Sequence, residues 1–273
     1  MEFSVLMAVY KNDIPNEVDN AICSVLNQTF SPTEIVIVVD GPVPQALDEL
    51  LNSYSLNSKF IIVRLQENGG LGNALKIGIQ YCSCEYIARM DSDDYSIPQR
   101  FEKQVKYLQA HPDTDVIGGQ IAEYDKELKN KIAIRAVPLE MNDIKKRICS
   151  RNPMNHVTVM YRKSAVIDAG NYATCLYFED YYLWCRMLKN GCVFHNLDDV
   201  LVNVRTGDDM YKRRGGSTYN NAIVDFQHRI QKLGVISKGE MIKNIMIRVC
   251  VANMPNVLRG YLYQHQLRQN LMK

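Results

Sequence analysis

The sequence predicts an α/β fold, with a mostly parallel central sheet flanked by helices and a helical C-terminal extension. Three observations lead there. Apolar, β-rich runs alternate with helical patterns through the first half, the runs are almost continuously apolar, and each closes on a cluster of turn and polar residues. Strand–helix alternation implies right-handed crossovers between parallel strands. Continuous apolar strands are what a sheet covered on both faces requires. The 273 residues are 47% apolar and 23% charged, enough chain for one large domain with an appendage and too apolar for disorder.

Taken in order, the strand candidates of the first half are Phe3–Tyr10, Glu34–Asp40, Phe60–Leu65 and Tyr86–Asp91. Helical patterns fall at Pro15–Asn27, Val43–Tyr54, Gly70–Cys82 and Pro98–His111, the last opening on a proline suited to a first helical turn. The second half is less regular. Asp115–Tyr124, Ile132–Val137, His156–Tyr161 and Val200–Val204 read as strands, the third on its β-branched content. Met141–Cys149 and Phe178–Lys189 read as helices, the second stopped by Gly191. Thr206–Thr218 is a polar, Gly-rich loop, and Tyr219–Lys232, Lys238–Ala252 and Pro255–Met272 are helical. This divides the chain into a domain over residues 1–218 and an extension over 219–273, the domain itself having one half at about 1–112 and another at 113–218.

Chemistry gathers where the early strands end. Tyr10-Lys11-Asn12-Asp13, Asp40-Gly41-Pro42, Glu67-Asn68-Gly69-Gly70 and Asp91-Ser92-Asp93-Asp94 should all open on one edge of the sheet, where open α/β folds bind ligands. The fourth places three carboxylates within four residues. Two carboxylates one residue apart can hold a hard divalent cation that grips a diphosphate; the same residues also suit a turn and a helix cap. Glu179 and Asp180 leave a similar choice, since acidic side chains at a helix start favour its dipole with or without chemistry.

The order of these motifs resembles the family 2 glycosyltransferases. A strand ending in VY, a second in VVDG, an NGGLGNAL helix start, RMDSDD after a fourth strand and FEDYYLWCRM downstream carry the likeness over about residues 3–205. The resemblance implies the GT-A (Rossmann-like) fold, with a nucleotide-sugar half and an acceptor half, and an inverting sugar transfer from a UDP-sugar. By that resemblance Tyr10 stacks on the uracil, Asp40 accepts a hydrogen bond from the base, and Asp91 and Asp93 are the DxD pair that meets the ribose and a Mn2+ or Mg2+ ion. Asp180 matches the catalytic base, while Glu179 and His156 line the acceptor pocket. Arg213 and Arg214, in the polar loop, would close over the diphosphate. The chain also looks like the bacterial O-antigen, capsule and exopolysaccharide enzymes of that family, a resemblance that implies an acceptor saccharide carried on a polyprenyl diphosphate.

Other function classes fit less well. A sugar nucleotidyltransferase needs a Gly-rich, Arg-bearing loop after the first strand, where this chain has MAVYKND. A dinucleotide oxidoreductase needs G-x-G-x-x-G spacing, which NGGLGNA lacks. A non-catalytic carbohydrate-binding module would have no use for Asp180. Net charge is +2, but from Val204 onward 12 Lys/Arg stand against 4 Asp/Glu, a balance of +8 that leaves the rest at −6. An acidic body argues against nucleic acid. A basic, partly amphipathic tail suits an anionic membrane surface, so the expected location is cytoplasmic, peripheral on the inner face of the membrane. The eight cysteines form no CxxC pair and read as reduced thiols. Neither a secretory signal nor an apolar run near 18 residues is present.

Overall fold

A computed structural model describes residues 1–207 and 216–254. In chain order its elements are β1 (Phe3–Val9), α1 (Pro15–Leu26), β2 (Glu34–Val39), α2 (Gln45–Ser55), β3 (Phe60–Arg64), α3 (Leu71–Tyr81), β4 (Tyr86–Met90), β5 (Tyr95–Ser96) and α4 (Arg100–Ala110). There follow β6 (Val116–Tyr124), β7 (Lys131–Arg135), α5 (Met141–Arg147), a 3₁₀ turn at His156–Thr158, β8 (Met160–Arg162), α6 (Lys163–Asp168), α7 (Glu179–Lys189) and β9 (Phe194–Arg205). Two helices, α8 (Gly216–Lys232) and α9 (Lys238–Ala252), close the described chain.

All strands join one sheet in the order β3-β2-β1-β4-β8-β6-β9-β5, with β7 alongside β6. The first four run parallel, as the alternating pattern requires. Beyond β4 the sheet becomes mixed: β8 is antiparallel to both β4 and β6, while β6 and β9 run parallel. The β1–β4 ends therefore open on one edge, and the second half of the chain builds the wall that faces it.

Side-chain alternation divides the core into two layers. Phe3, Val5, Met7 and Val9 of β1, with Ile35, Ile37 and Val39 of β2, pack under α1, α2 and α4. Leu6, Val36 and Val38 point the other way, toward α3 and a second layer built around Trp184 of α7. Each such buried aliphatic contributes roughly 1.5–3 kcal/mol relative to exposure, so a one-residue slip of register would expel a whole layer. Gly78 on α3 lets that helix approach closely, since a Cβ there would sit 2.5 Å from Leu6 Cδ1.

The C-terminal helices belong to the second layer. Ala222, Ile223, Phe226 and Ile230 of α8 are buried in it, with Phe226 stacked on Phe178 at 4.6 Å. Helix α9 starts with a capping box in which the Glu240 N–H donates to Ser237 Oγ and the Ser237 N–H donates back to Glu240 Oε2. It leans on the body through Met241, Asn244, Ile245 and Val249, leaving Ile242, Met246 and Ile247 exposed. Arg248 does not join that exposed face: it donates to the Ser150 carbonyl at 2.7 Å and lies over the rings of Phe178 and Tyr181. The Pro255–Met272 helix expected from the pattern lies outside the described residues.

Four expectations shift. The stretch His156–Tyr161 is a strand only from Met160, because Thr158 Oγ1 donates to the Asn155 carbonyl and the Asn155 amide donates to Gly119 and Arg135 carbonyls, curling the chain before it can pair. Strand β9 starts six residues earlier than Val200, across the polar Asn196–Asp199 stretch that hides it, and tolerates this through register shifts against β6 near Gln120. The short β5 and α6 carry too few residues to show a period.

Candidate active site

The four polar strand ends meet on one edge, and each is held by a specific local device. After β2, Asp40 is buried and its carboxylate accepts three hydrogen bonds: from the Gly69 N–H at 2.8 Å, the Gly70 N–H at 2.9 Å and Asn68 Nδ2 at 3.0 Å. Asp40 thereby fixes the NGG turn that starts α3. Gly41 makes the fit possible, with φ +83° and a Cβ position only 2.6 Å from the Asn68 nitrogen. Since a carboxylate offers about four acceptor directions, one remains unfilled by these bonds. Tyr10, at the end of β1, is 36% exposed.

The acidic cluster after β4 is anchored from three sides. Arg89, 1% exposed, forms an ion pair with Asp91 from beneath. Burial opposes the Arg89 charge, but Asp91 holds the guanidinium protonated. Asp13 accepts from the Tyr10 N–H at 3.0 Å and from Ser92 Oγ at 2.9 Å, tying the first strand end to the fourth. Arg205, at the end of β9, donates through its backbone N–H to Asp94 at 2.9 Å and through Nε to the Asp93 carbonyl at 2.6 Å. Asp93 is exposed at this edge, and Asp91 stays 36% exposed above its ion pair with Arg89. Asp93 reaches solvent, yet loss of water around its carboxyl, with the charges of Asp91 and Asp13, pushes it up to about 6. Burial pushes Asp13 up to about 6 as well.

The facing wall is the N-terminus of α7. Asp180 accepts a 2.6 Å hydrogen bond from Asn152 Nδ2. Burial raises its carboxyl, against the Tyr181 N–H, Asn152 and the charges of Arg135 and Arg89, which favour the ionised form. Glu179 packs against α3, where a Cβ on Gly72 would lie 3.2 Å from Glu179 Cβ. Burial and the neighbouring Asp180 push it up to about 7, with Asp91 adding repulsion from across the crevice. His156, on the 3₁₀ turn, shares a 2.7 Å hydrogen bond between Nε2 and the Tyr172 hydroxyl. Burial and the Arg89 charge hold its ring well below the usual histidine range, so it is neutral. Arg89 is thus a buried cation whose field reaches Asp91, Asp93, Glu179, Asp180 and His156 together.

The structure therefore brings Tyr10, Asp40, Asp91, Asp93, His156, Glu179 and Asp180 around one crevice. Arg213 and Arg214 lie outside the described residues. Trp184 is fully buried, a core residue and not a platform for sugar. Three residues that organise the site escaped sequence reading: Arg89, Asn152 and Arg205. A charged Arg inside the apolar run YIARM was the one signal on offer, since a buried arginine must find a partner. Among the described residues, no three His, Cys, Asp or Glu side chains converge as a ready metal cage. Asp91 and Asp93 fit a cation of the kind that takes one or two carboxylates and completes its shell with water and substrate phosphate.

Comparison with known proteins decides the family. The family model described as "Glycosyl transferase family 2" matches residues 4–172. The chain belongs to glycosyl transferase family 2. Within the family, it is 37% identical over 264 residues to the amylovoran biosynthesis glycosyltransferase AmsE of Erwinia amylovora, covering 96% of this chain and 98% of that protein. It is 33% identical over 270 residues to the Escherichia coli UDP-Gal:alpha-D-GlcNAc-diphosphoundecaprenol beta-1,3-galactosyltransferase, covering 99% and 98%. Among solved structures, S. aureus TarS superposes with a TM-score of 0.64 at 18% identity, over 97% of this chain and 44% of TarS. Its 1–349 fragment in complex with UDP-GlcNAc gives 0.62 at 18% identity, over 97% and 72%. This family 2 enzyme thus has the GT-A fold of a glycosyltransferase, and its Asp91–Asp93 and Glu179–Asp180 pairs lie on opposite walls of the crevice.

Proposed function

We propose that this family 2 enzyme moves a sugar from a UDP-sugar to a hydroxyl of a lipid-linked saccharide, with inversion at the anomeric carbon, in the assembly of a bacterial surface polysaccharide. One observation carries the reading: a carboxylate pair at the end of β4 and a separate carboxylate on α7 share one crevice, and the charge of buried Arg89 acts on both. A direct displacement needs this division of labour, one set of groups for the departing diphosphate and one base for the incoming hydroxyl. The E. coli relative supports the substrate classes, being named for a UDP-galactose donor and a diphosphoundecaprenol-linked acceptor.

In this reading Tyr10 stacks on the uracil, and Asp40, already fixing the Asn68-Gly69-Gly70 turn, offers its remaining acceptor direction to the base. Asp91 and Asp93 hold a Mn2+ or Mg2+ ion, which when bound neutralises diphosphate charge. Asn152 orients Asp180 so that its other oxygen meets the acceptor hydroxyl. As the acceptor oxygen bonds to the anomeric carbon, its proton passes to Asp180, and the bond to the diphosphate breaks with its electron pair leaving on UDP. Glu179, raised to about 7, is neutral over part of the working range and donates a hydrogen bond to the acceptor sugar. His156, neutral on its Tyr172 bond, bounds the same pocket. An Asp180→Asn enzyme that binds UDP normally and fails to transfer sugar supports the reading. Near-wild-type transfer by that variant would return Asp180 to a helix-capping role.

The same reading places the enzyme on an anionic membrane face, where its acceptor is anchored. No helix among the described residues is long and apolar enough to cross a membrane. On α9, Ile242, Met246 and Ile247 are 55%, 63% and 52% exposed, with Lys243 beside them. Apolar side chains flanked by lysines suit an interfacial helix. Lys238→Glu with Lys243→Glu should weaken co-sedimentation with phosphatidylglycerol vesicles, and unchanged sedimentation would assign the exposed stripe another role.

A further inference from the structure

A trough of about 450 Å³ opens between the chain leaving β7 and helix α5, lined by Ala136, Val137, Pro138, Asp143, Lys146, Arg147 and Ser150. It starts where the acceptor wall of the crevice ends. Ala136 follows Arg135, whose charge acts on Asp180. Ser150 lies two residues before Asn152, which donates directly to Asp180. Two residues of chain span at most about 7 Å, the scale of one sugar ring.

The trough is preformed. Val137 is pinned by its N–H to Gln120 Oε1 at 2.6 Å, and its carbonyl accepts from Gln120 Nε2 at 3.3 Å. The Pro138 carbonyl accepts from Asn196 Nδ2 at 2.7 Å. The opposite side is cationic. Lys146 pairs with Asp143 at 3.0 Å on the exposed rim. The Arg147 guanidinium has no hydrogen-bond or ion-pair partner among the described residues, and its Nε is shielded from solvent. The helix dipole accounts for basic residues in the last turn of α5. It does not account for a half-buried guanidinium that lines a cavity with its shielded Nε unpartnered.

We infer that this trough is a subsite for the diphosphate of the acceptor, with Lys146 and Arg147 as the groups that bind it. The inference rests on the proposed acceptor class: a sugar whose hydroxyl meets Asp180 extends its anomeric diphosphate about one ring away, to where the trough lies. Arg147 supplies paired N–H donors to phosphate oxygens, and Lys146 can turn from Asp143 to do the same.

The test is calorimetry with UDP and Mn2+ saturating the donor crevice, using dodecyl diphosphate-linked N-acetylglucosamine as the probe and the neutral dodecyl glycoside of the same sugar as its control. Lys146→Met with Arg147→Met should weaken binding of the diphosphate probe about tenfold or more, the scale of charge-assisted hydrogen bonds. UDP affinity and the weaker binding of the neutral glycoside should be unchanged, and Arg147→Lys should keep part of the affinity. Equal loss for both probes, or no loss for the diphosphate probe, overturns the subsite. So does inorganic pyrophosphate binding as tightly as the sugar-linked probe with the same loss in the variant, because the trough would then be reading free diphosphate. These outcomes are separate from the proposed reaction, which stands or falls on transfer by Asp180→Asn.

Discussion

At the residue scale, the account turns on carboxylates that share a crevice and are held in different states. Asp180 must be ionised to accept a proton; burial raises its carboxyl, and Asn152 with the Arg135 and Arg89 charges offsets that only in part. Replacing it by Asn should cut turnover roughly a hundredfold or more, the usual scale for a positioned base, with UDP affinity intact by calorimetry. Asp93→Ala should abolish transfer while leaving the melting curve of the unliganded protein close to wild type, and full activity in excess EDTA would rule out a role for metal. Asp40 has a double duty that its side chain makes measurable. Asp40→Ala removes the hydrogen bonds from the Gly69 and Gly70 N–H groups, which are only partly shielded from water, at about 0.5–1.5 kcal/mol for each bond lost, and denaturant unfolding should show a loss on that scale. A stability unchanged by Asp40→Ala would mean that the NGG turn is fixed by something else. The gathering of the early strand ends was legible, Asp13 among them, because strand ends in a parallel sheet must share an edge. Asn152 and Arg205 were not, because they act by bonding other residues of the crevice, and nothing in a linear sequence reports which partner a side chain finds.

At the scale of elements, the legible part is the parallel half. Its strands are buried on both faces, so β1 and β2 read as unbroken apolar runs, and the helices between them carry a clear periodicity. The mixed half obscures itself. Strand β9 crosses Asn196, which is fully buried and donates to the Pro138 and Pro153 carbonyls, and Asp198 and Asp199, which are exposed where the pairing with β6 shifts register. The 3₁₀ turn at His156–Thr158 hides in β-branched residues, since side-chain bonds from Asn155 and Thr158 override their preference for extended chain. Helix α8 is tied to the catalytic wall through Phe226, buried and stacked between Phe178 and Tyr181 at 4.6 Å from each. Both rings flank the Glu179–Asp180 pair in the chain, so the C-terminal helices support the start of α7. Phe226→Ala should cost about 3–5 kcal/mol of stability and lower turnover before it affects UDP binding. Cooperative unfolding at wild-type stability would show α8 to be a separate appendage.

For the whole molecule, the raised carboxyls set a dependence on pH. Glu179 moves from 4.5 to about 7 and Asp13 from 3.8 to about 6 on folding, so between about pH 4 and 7 the folded protein binds more protons than the unfolded chain. Stability contributed by these groups is therefore full below their unfolded values and is lost as pH rises through the folded ones. In EDTA the wild-type protein should lose more stability between pH 5 and 7.5 than Glu179→Gln, which has no proton to give up; parallel profiles would contradict the burial of Glu179. Catalysis runs the other way, since transfer should fall on the acid side as Asp180 is protonated. The central claim is a single displacement in which one base and one leaving diphosphate occupy opposite walls, and the configuration of the product tests it most directly. With an α-linked UDP-hexose as donor, the proton NMR coupling at the new anomeric centre should report a β-linkage. An α-linked product would contradict the account, because attack from the face opposite the departing diphosphate must invert the anomeric centre.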